Sequence, residues 1–321
     1  MPMDKNWTVR GYMQRLDATD QILVIYNLLV LILVLLAPAE VPHIGLLLIF
    51  HLVVQSLLLR QSKFIPIGDS GKRSSPAMIY RHWLPILLII PFYSEATHLS
   101  HYFISGSLDS WLSGWDQQVF GTDLNLFLAR ERPLWLNELF HGVYFSYYGL
   151  MIFPALLLYK KSPSRFRHYL AGLVLLMAVH NSLFIFIPAG GPVDYRADLF
   201  QQGVFFIPLM NWIYSWGDYA GAAFPSAHVA ASLFIYLSLR HQFQRLGQTL
   251  FALWIWAIFV STVYCAYHYG VDVLAGFLSG LIFYGIYLKW PWLTYRPQQP
   301  AGGTRATTDG LSAPSAPDIA P

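Results

Sequence analysis

Residues 21–37 read QILVIYNLLVLILVLLA, a run without a single charged side chain. A bilayer core about 30 Å thick needs roughly 20 mostly apolar residues per helix, so a run of this length and character reads as a membrane-spanning helix. Working outward, seven further apolar stretches end at polar residues or at Pro/Gly punctuation: 43–59, 83–104, 134–159, 168–188, 226–240, 247–267 and 270–289. The fold class this predicts is all-α, a polytopic integral membrane helical bundle of about eight transmembrane helices. Composition agrees: 55% of the 321 residues are hydrophobic and 12% are charged, against about 25% charged in soluble domains. That balance excludes a water-soluble globular protein.

The segment 105–133 mixes Trp111, Trp115 and Phe120 with Asp109, Asp116 and Asp123, which suits a stretch lying along the membrane interface. From residue 297 Pro, Gly, Ala, Ser and Thr dominate, so 297–321 reads as a disordered tail. The first twenty residues carry Asp4, Lys5, Arg10, Arg15, Asp17 and Asp20 and no apolar core, and the chain is expected to enter the membrane through its first span. A net charge of +3 is too small to argue for nucleic acid as a partner. The single cysteine, Cys265, leaves no internal disulfide and few cysteine-based metal sites.

Cytoplasmic connections carry the excess of Lys and Arg. With the N-terminus placed inside, every one of the 20 Lys and Arg residues falls on the cytoplasmic side except Arg130, Arg132 and Arg196. Both termini are therefore expected in the cytoplasm. Three arginines on the face otherwise empty of them are better functional candidates than the topology-setting majority.

Two motifs on that outer face carry chemistry: Phe224-Pro225-Ser226-Ala227-His228 at the start of the sixth span, and His268-Tyr269-Gly270-Val271-Asp272 at the start of the eighth. Proline suits the first turn of a helix, and the backbone N–H groups just after it, around Ser226 and Ala227, can face an anion with the helix dipole behind them. His268 and Asp272 are four residues apart and share a helix face, so the carboxylate can hold one imidazole nitrogen and leave the other to act. His268 then reads as nucleophile or base, and His228 as the general acid that protonates a leaving alkoxide.

Pro225-Ser226-Ala227-His228 resembles the P-S-G-H signature of the type 2 phosphatidic acid phosphatase (PAP2) superfamily. Ser261, followed by His268 and Asp272, resembles its S-R-x5-H-x3-D signature. The resemblance implies a six-helix catalytic core, here residues 83–296, preceded by a cytoplasmic segment (1–20) and by two additional helices with their loop (21–82). It implies a metal-independent reaction without cofactor that passes through a phosphohistidine: His268 as nucleophile, Asp272 as its orienting carboxylate, His228 as leaving-group acid and Ser226 in the phosphate-binding turn. Two positions depart from the pattern. Thr262 stands where the third signature has arginine, and the first signature, K-x6-R-P, is replaced by Pro188-Ala189-Gly190-Gly191-Pro192-Val193-Asp194-Tyr195-Arg196. With Tyr267-His268-Tyr269-Gly270-Val271-Asp272-Val273, this is similar to the branch of inositol phosphorylceramide synthase and sphingomyelin synthase, which move phospho-headgroups between lipids. The stretch from Asp109 to Tyr148, with Trp115-Asp116 and Tyr144-Phe145-Ser146-Tyr147-Tyr148, resembles bacterial relatives of the inositol enzyme.

A phosphoryl group in transfer spreads negative charge over its oxygens and needs a counter-charge. Arg196, in the glycine- and proline-rich loop, is the candidate for it. Arg130, Arg132, Asp116 and Tyr148 are candidate headgroup contacts, and Asn137, Glu138, His141, Tyr144 and Tyr148 recur at helical spacing as a polar face or an interface belt. Glu95-x2-His98-x2-His101 has metal-binding residue types, but a spacing of three and three drifts round a helix, and no metal is expected. Gly276 and Gly280 form a small-xxx-small pair suited to close helix packing.

The partners expected are the bilayer, a lipid phosphate donor, and either a lipid alcohol or water as acceptor. Three readings follow from the same residues: a lipid phosphotransferase, a lipid phosphatase, and a non-catalytic lipid transporter or scaffold. Neither donor, acceptor nor oligomeric state is written in a short motif.

Overall fold

The computed structural model describes residues 13, 16–38, 41, 43–61, 76–215 and 221–290. The tail 297–321, most of segment 1–20, much of the loop before residue 76 and the side chain of His101 lie outside the described residues.

The chain is an all-α membrane bundle. Its elements are α1 (Ala18–Leu36), α2 (Ile44–Gln61), α3 (Pro76–Phe103), α4 (Asp109–Phe120), α5 (Leu124–Ala129), α6 (Leu134–Lys161), α7 (Pro163–Phe186), α8 (Val193–Leu199), α9 (Phe206–Ser215), α10 (Ala227–Leu239), a 3₁₀ turn (Arg240–Gln242), α11 (Arg245–Tyr264) and α12 (Gly270–Lys289). Five of them, α1, α6, α7, α11 and α12, are long and apolar enough to cross a membrane, and α2 is a shorter apolar helix. The third expected span differs most. It begins at Pro76 and runs through Pro85 and Pro91 to Phe103, and it carries Arg81 and Glu95. The sixth, α10, has 13 residues, because Ser226 rather than Pro225 opens it: the Ser226 hydroxyl accepts from the Val229 N–H at 3.3 Å. The interfacial stretch resolves into α4 and α5, separated by Gly121, whose φ of 73° ends α4 in the left-handed conformation.

Several charged side chains inside the bundle pair with one another, as burial away from water favours. At one end Arg167, 1% exposed, donates from Nε to Asp17 at 2.7 Å and from Nη2 to Asp20 at 3.0 Å, while Arg81 donates to Asp20 at 2.6 Å. Arg81 and Arg167 thus tie α1, α3 and α7 together, beyond the orientation signal they carry in the sequence. Glu95 is engaged within the bundle: its carboxylate lies 2.9 Å from His51 Nε2 and accepts from the Tyr26 hydroxyl at 3.3 Å, whereas His98 Nδ1 turns back to the Ser94 carbonyl at 2.7 Å.

At the opposite end α10 and α12 set the site. Their approach depends on Gly276 and Gly280, where an added Cβ would stand 2.5 Å from the Ser226 carbonyl oxygen and 2.9 Å from that of Ala230. Backbone cannot retreat as a side chain tip can, so Gly276→Ala is expected to cost about 1–3 kcal/mol. Gly285, with nothing within 4 Å of a built Cβ, is the matched control. Thermal unfolding in nanodiscs checks this: the Gly276→Ala midpoint falls and the Gly285→Ala midpoint holds.

Candidate active site

The loop from α11 to α12 is folded by its own backbone. Ala266 adopts a φ of 55°, and the N–H groups of Tyr267 and His268 both return to the Thr262 carbonyl, at 3.0 and 3.1 Å. Asn125 on α5 clasps the same loop from outside, its amide donating to the carbonyls of Val263 at 2.8 Å and His268 at 2.9 Å. Asp116 on α4 caps the next helix: its two carboxylate oxygens accept from Gly270 N–H at 3.0 Å and Val271 N–H at 2.8 Å. A carboxylate at a helix N-terminus satisfies donors the helix cannot. Burial holds the Asp116 carboxyl above its ordinary value against the opposing pull of the bonds from Val271 and Gly270.

A second loop closes over the first. The Ala223 N–H donates to the Ala189 carbonyl at 2.8 Å, which pairs the Pro188–Gly191 turn with the strand of residues entering α10. Gly190 and Gly191 donate their N–H groups to Asp109, each at 2.8 Å. Gly191 has a φ of 76°, and a Cβ there would lie 2.6 Å from the Tyr267 carbonyl, so only glycine fits. The Ser226 N–H donates to the Asp272 carbonyl at 3.2 Å, binding the two histidine motifs directly to each other.

This framework brings the imidazoles of His268 and His228 together, with His268 Nε2 at 3.4 Å from His228 Nδ1. The nearest acceptor for His268 Nδ1 is the Ala223 carbonyl at 2.9 Å, and Asp272 Oδ2 stands farther off at 3.5 Å, itself accepting from the Tyr269 N–H at 2.8 Å. A carbonyl only accepts, so Nδ1 carries the hydrogen and Nε2 keeps its lone pair. The carbonyl thus shares the orienting task that the sequence assigns to Asp272 alone. On the other side, His228 Nε2 meets the Tyr144 hydroxyl at 3.1 Å, and that hydroxyl is 2.6 Å from the Tyr214 hydroxyl.

Arg196, on α8, lies with its guanidinium carbon 4.9 Å from the ring centre of Tyr214 and 4.7 Å from that of Tyr267. Tyr267 stacks on Tyr144 at 4.2 Å, so one ring separates Arg196 from the tyrosine bonded to His228. The other expected contacts are distributed differently. Asp116 is 0% exposed with both oxygens on backbone N–H groups, so it anchors α12 rather than meeting a headgroup. Arg130 is solvent-exposed beside Glu131, and Arg132, also exposed, donates to the carbonyls of Leu128 and Phe127. Tyr148 is half-buried among Phe145 and Tyr147. Along α6 the polar face divides its work: Asn137 accepts from the Tyr264 hydroxyl at 2.7 Å, and Glu138 caps α9 by accepting from Val204 and Phe206 N–H, each at 2.6 Å.

Ser226 is fully buried, with its hydroxyl spent on the cap. What the turn offers an anion is the first-turn N–H groups of Ala227 and His228, which have no acceptor within their own helix. Thr262, where the resemblance expects arginine, is also 0% exposed and donates its hydroxyl to the Phe259 carbonyl at 2.7 Å. Four participants escaped the sequence reading in these roles. The Ala223 carbonyl has no side-chain signal. Asn125 and Tyr214 are singled out by no motif, and Tyr144 stands out only in a helical row and in the stretch Tyr144-Phe145-Ser146-Tyr147-Tyr148, with no role attached to it.

The sequence model of a family described as the PAP2 superfamily matches residues 110–286. No curated protein matches the chain. Among solved structures, the crystal structure of Aquifex aeolicus LpxE is 22% identical over 52% of this chain and 93% of its own, with a TM-score of 0.40.

Proposed function

The chain belongs to the PAP2 superfamily, and we propose that it is a lipid phosphotransferase of the inositol phosphorylceramide synthase and sphingomyelin synthase type, moving a phospho-headgroup between lipids through a phosphohistidine on His268. The observation that carries this reading is the facing pair, His268 Nε2 and His228 Nδ1 at 3.4 Å, with the far nitrogen of His268 held by a carbonyl. In the first step the Nε2 lone pair attacks phosphorus, the bond from phosphorus to the lipid oxygen breaks, and a proton from His228 goes to that oxygen. In the second step the acceptor hydroxyl gives its proton to His228, its oxygen takes the phosphorus, and the electron pair returns to Nε2.

The choice of a phosphodiester over a phosphomonoester rests on charge. A diester carries one negative charge and a monoester close to two. Arg196 is a cation set over the Tyr214 and Tyr267 rings, one ring from the tyrosine bonded to His228, Thr262 is neutral, and Arg130 and Arg132 lie exposed on the turn after α5. One guanidinium and the first-turn N–H groups suit the single charge of a headgroup diester. The surface is proposed to be extracytoplasmic, with both termini inside, because the basic connections gather at the other ends of the helices.

The test uses purified protein in nanodiscs with phosphorus-labelled phosphatidylinositol or phosphatidic acid and a fluorescent ceramide or diacylglycerol. Label is expected to pass from phosphatidylinositol into the fluorescent lipid. Label released only as water-soluble phosphate or headgroup phosphate would make the protein a lipid phosphohydrolase and overturn the transferase reading.

A further inference from the structure

The two imidazoles are held in the same manner from opposite sides. Each turns one nitrogen toward the other ring, and each gives its remote nitrogen to a neutral oxygen: His268 Nδ1 to the Ala223 carbonyl at 2.9 Å, His228 Nε2 to the Tyr144 hydroxyl at 3.1 Å. An imidazole that gives a proton in one step and takes one back in the next must do both through a single nitrogen, while the other nitrogen keeps its hydrogen. For His228 the nitrogen facing the reaction is Nδ1, so the hydrogen that must stay is on Nε2, and it needs an acceptor. The Tyr144 oxygen supplies one when its own hydrogen goes to Tyr214, 2.6 Å away.

We infer that Tyr144 is a positioning residue that holds the hydrogen on Nε2 of His228, leaving Nδ1 as the nitrogen that exchanges the transferred proton. This rests on the phosphohistidine reading and deepens it. In the first step His228, doubly protonated while the substrate's anionic phosphate lies beside it, passes its Nδ1 hydrogen to the departing lipid oxygen and becomes neutral with Nε2–H still bonded to Tyr144. In the second step Nδ1 takes the acceptor's proton and restores the starting charge. Without the Tyr144 oxygen the neutral ring can rest with its hydrogen on Nδ1, the tautomer that cannot serve as base.

Tyr144→Phe isolates the hydroxyl. The ring is 0% exposed and stacks on Tyr267 at 4.2 Å with planes 17° apart, a packing that phenylalanine keeps. General acid–base catalysis contributes about 10²–10⁴-fold, and the variant is expected to slow phosphoenzyme formation from labelled phosphatidylinositol on the order of 10²-fold. A nitrophenolate leaves without being protonated. The first-turnover burst from bis(para-nitrophenyl) phosphate should therefore change less than about threefold in Tyr144→Phe, since the acid's share is absent there. The control His268→Ala should lose both reactions. An equal loss on both substrates would make Tyr144 merely structural, and no loss on either would leave it idle; each overturns the inference. Those outcomes leave the phosphohistidine reading standing, because that reading fails separately, by a phosphoenzyme that survives His268→Ala.

Discussion

Replacing His268 by alanine is expected to lower turnover on the order of 10⁴-fold or more, as loss of a covalent nucleophile does elsewhere, and to abolish the labelled phosphoenzyme. The fold should survive. The imidazole touches the Ala223 carbonyl, His228 and Asp272, whereas the backbone around it is fixed independently by Thr262, Asn125 and Asp116. The midpoint of thermal unfolding should accordingly stay close to that of the parent. Rapid acid-free quenching after mixing with labelled phosphatidylinositol reads the intermediate directly. Retention of label in His268→Ala would place the nucleophile elsewhere, and wild-type turnover would end the assignment altogether. His228→Ala supplies the contrast: the attacking nitrogen remains, so a first turnover with a nitrophenolate leaving group should persist while turnover of the lipid falls.

How much of this was legible in the chain depends on the kind of interaction. Helices announced themselves through apolar length, which is local, and the spans at 21–37, 134–159 and 270–289 appear as α1, α6 and α12. The third span is longer than its apolar run predicts because Arg81 reads as a loop charge, yet it is buried against Asp20, sixty-one residues earlier in the chain. The pairing of α10 with α12 could be sensed from Gly276 and Gly280, since small residues have few other uses on a membrane helix face. The two histidine motifs were legible because each side chain is itself the reagent. What holds them was not. Ala223 acts through its carbonyl, and any residue at that position presents the same group. Asp116 reads as an interfacial acid until α12 is seen to begin on it. Asn125 is joined to His268 across one hundred and forty-three residues, a separation that no spacing rule spans.

Arg196→Gln is expected to reduce kcat/KM for the labelled diester by about 10²–10³-fold, the scale of removing one preorganised group that meets developing charge. The structure sets the competing terms. The guanidinium lies 4.7–4.9 Å from the Tyr267 and Tyr214 ring centres, contacts worth about 0.5–1 kcal/mol at such sites. A bond to a charged phosphate oxygen is worth about 1.5–3 kcal/mol, and the planar fork can make two. The phosphate wins, and it wins without dismantling the rings, because Tyr214 and Tyr267 stack on each other at 4.7 Å independently of the arginine. Lysine keeps the charge and loses both the flat face and the second donor, so Arg196→Lys should recover only part of the loss, mostly in KM. If Arg196→Gln instead turns over the diester within about threefold of the parent, the phosphate's charge is met by backbone N–H groups at the start of α10, and the charge argument for a diester loses its main support. Measuring the same variants on a phosphomonoester completes the test: a site built around one guanidinium should favour the diester before substitution and lose that preference after it.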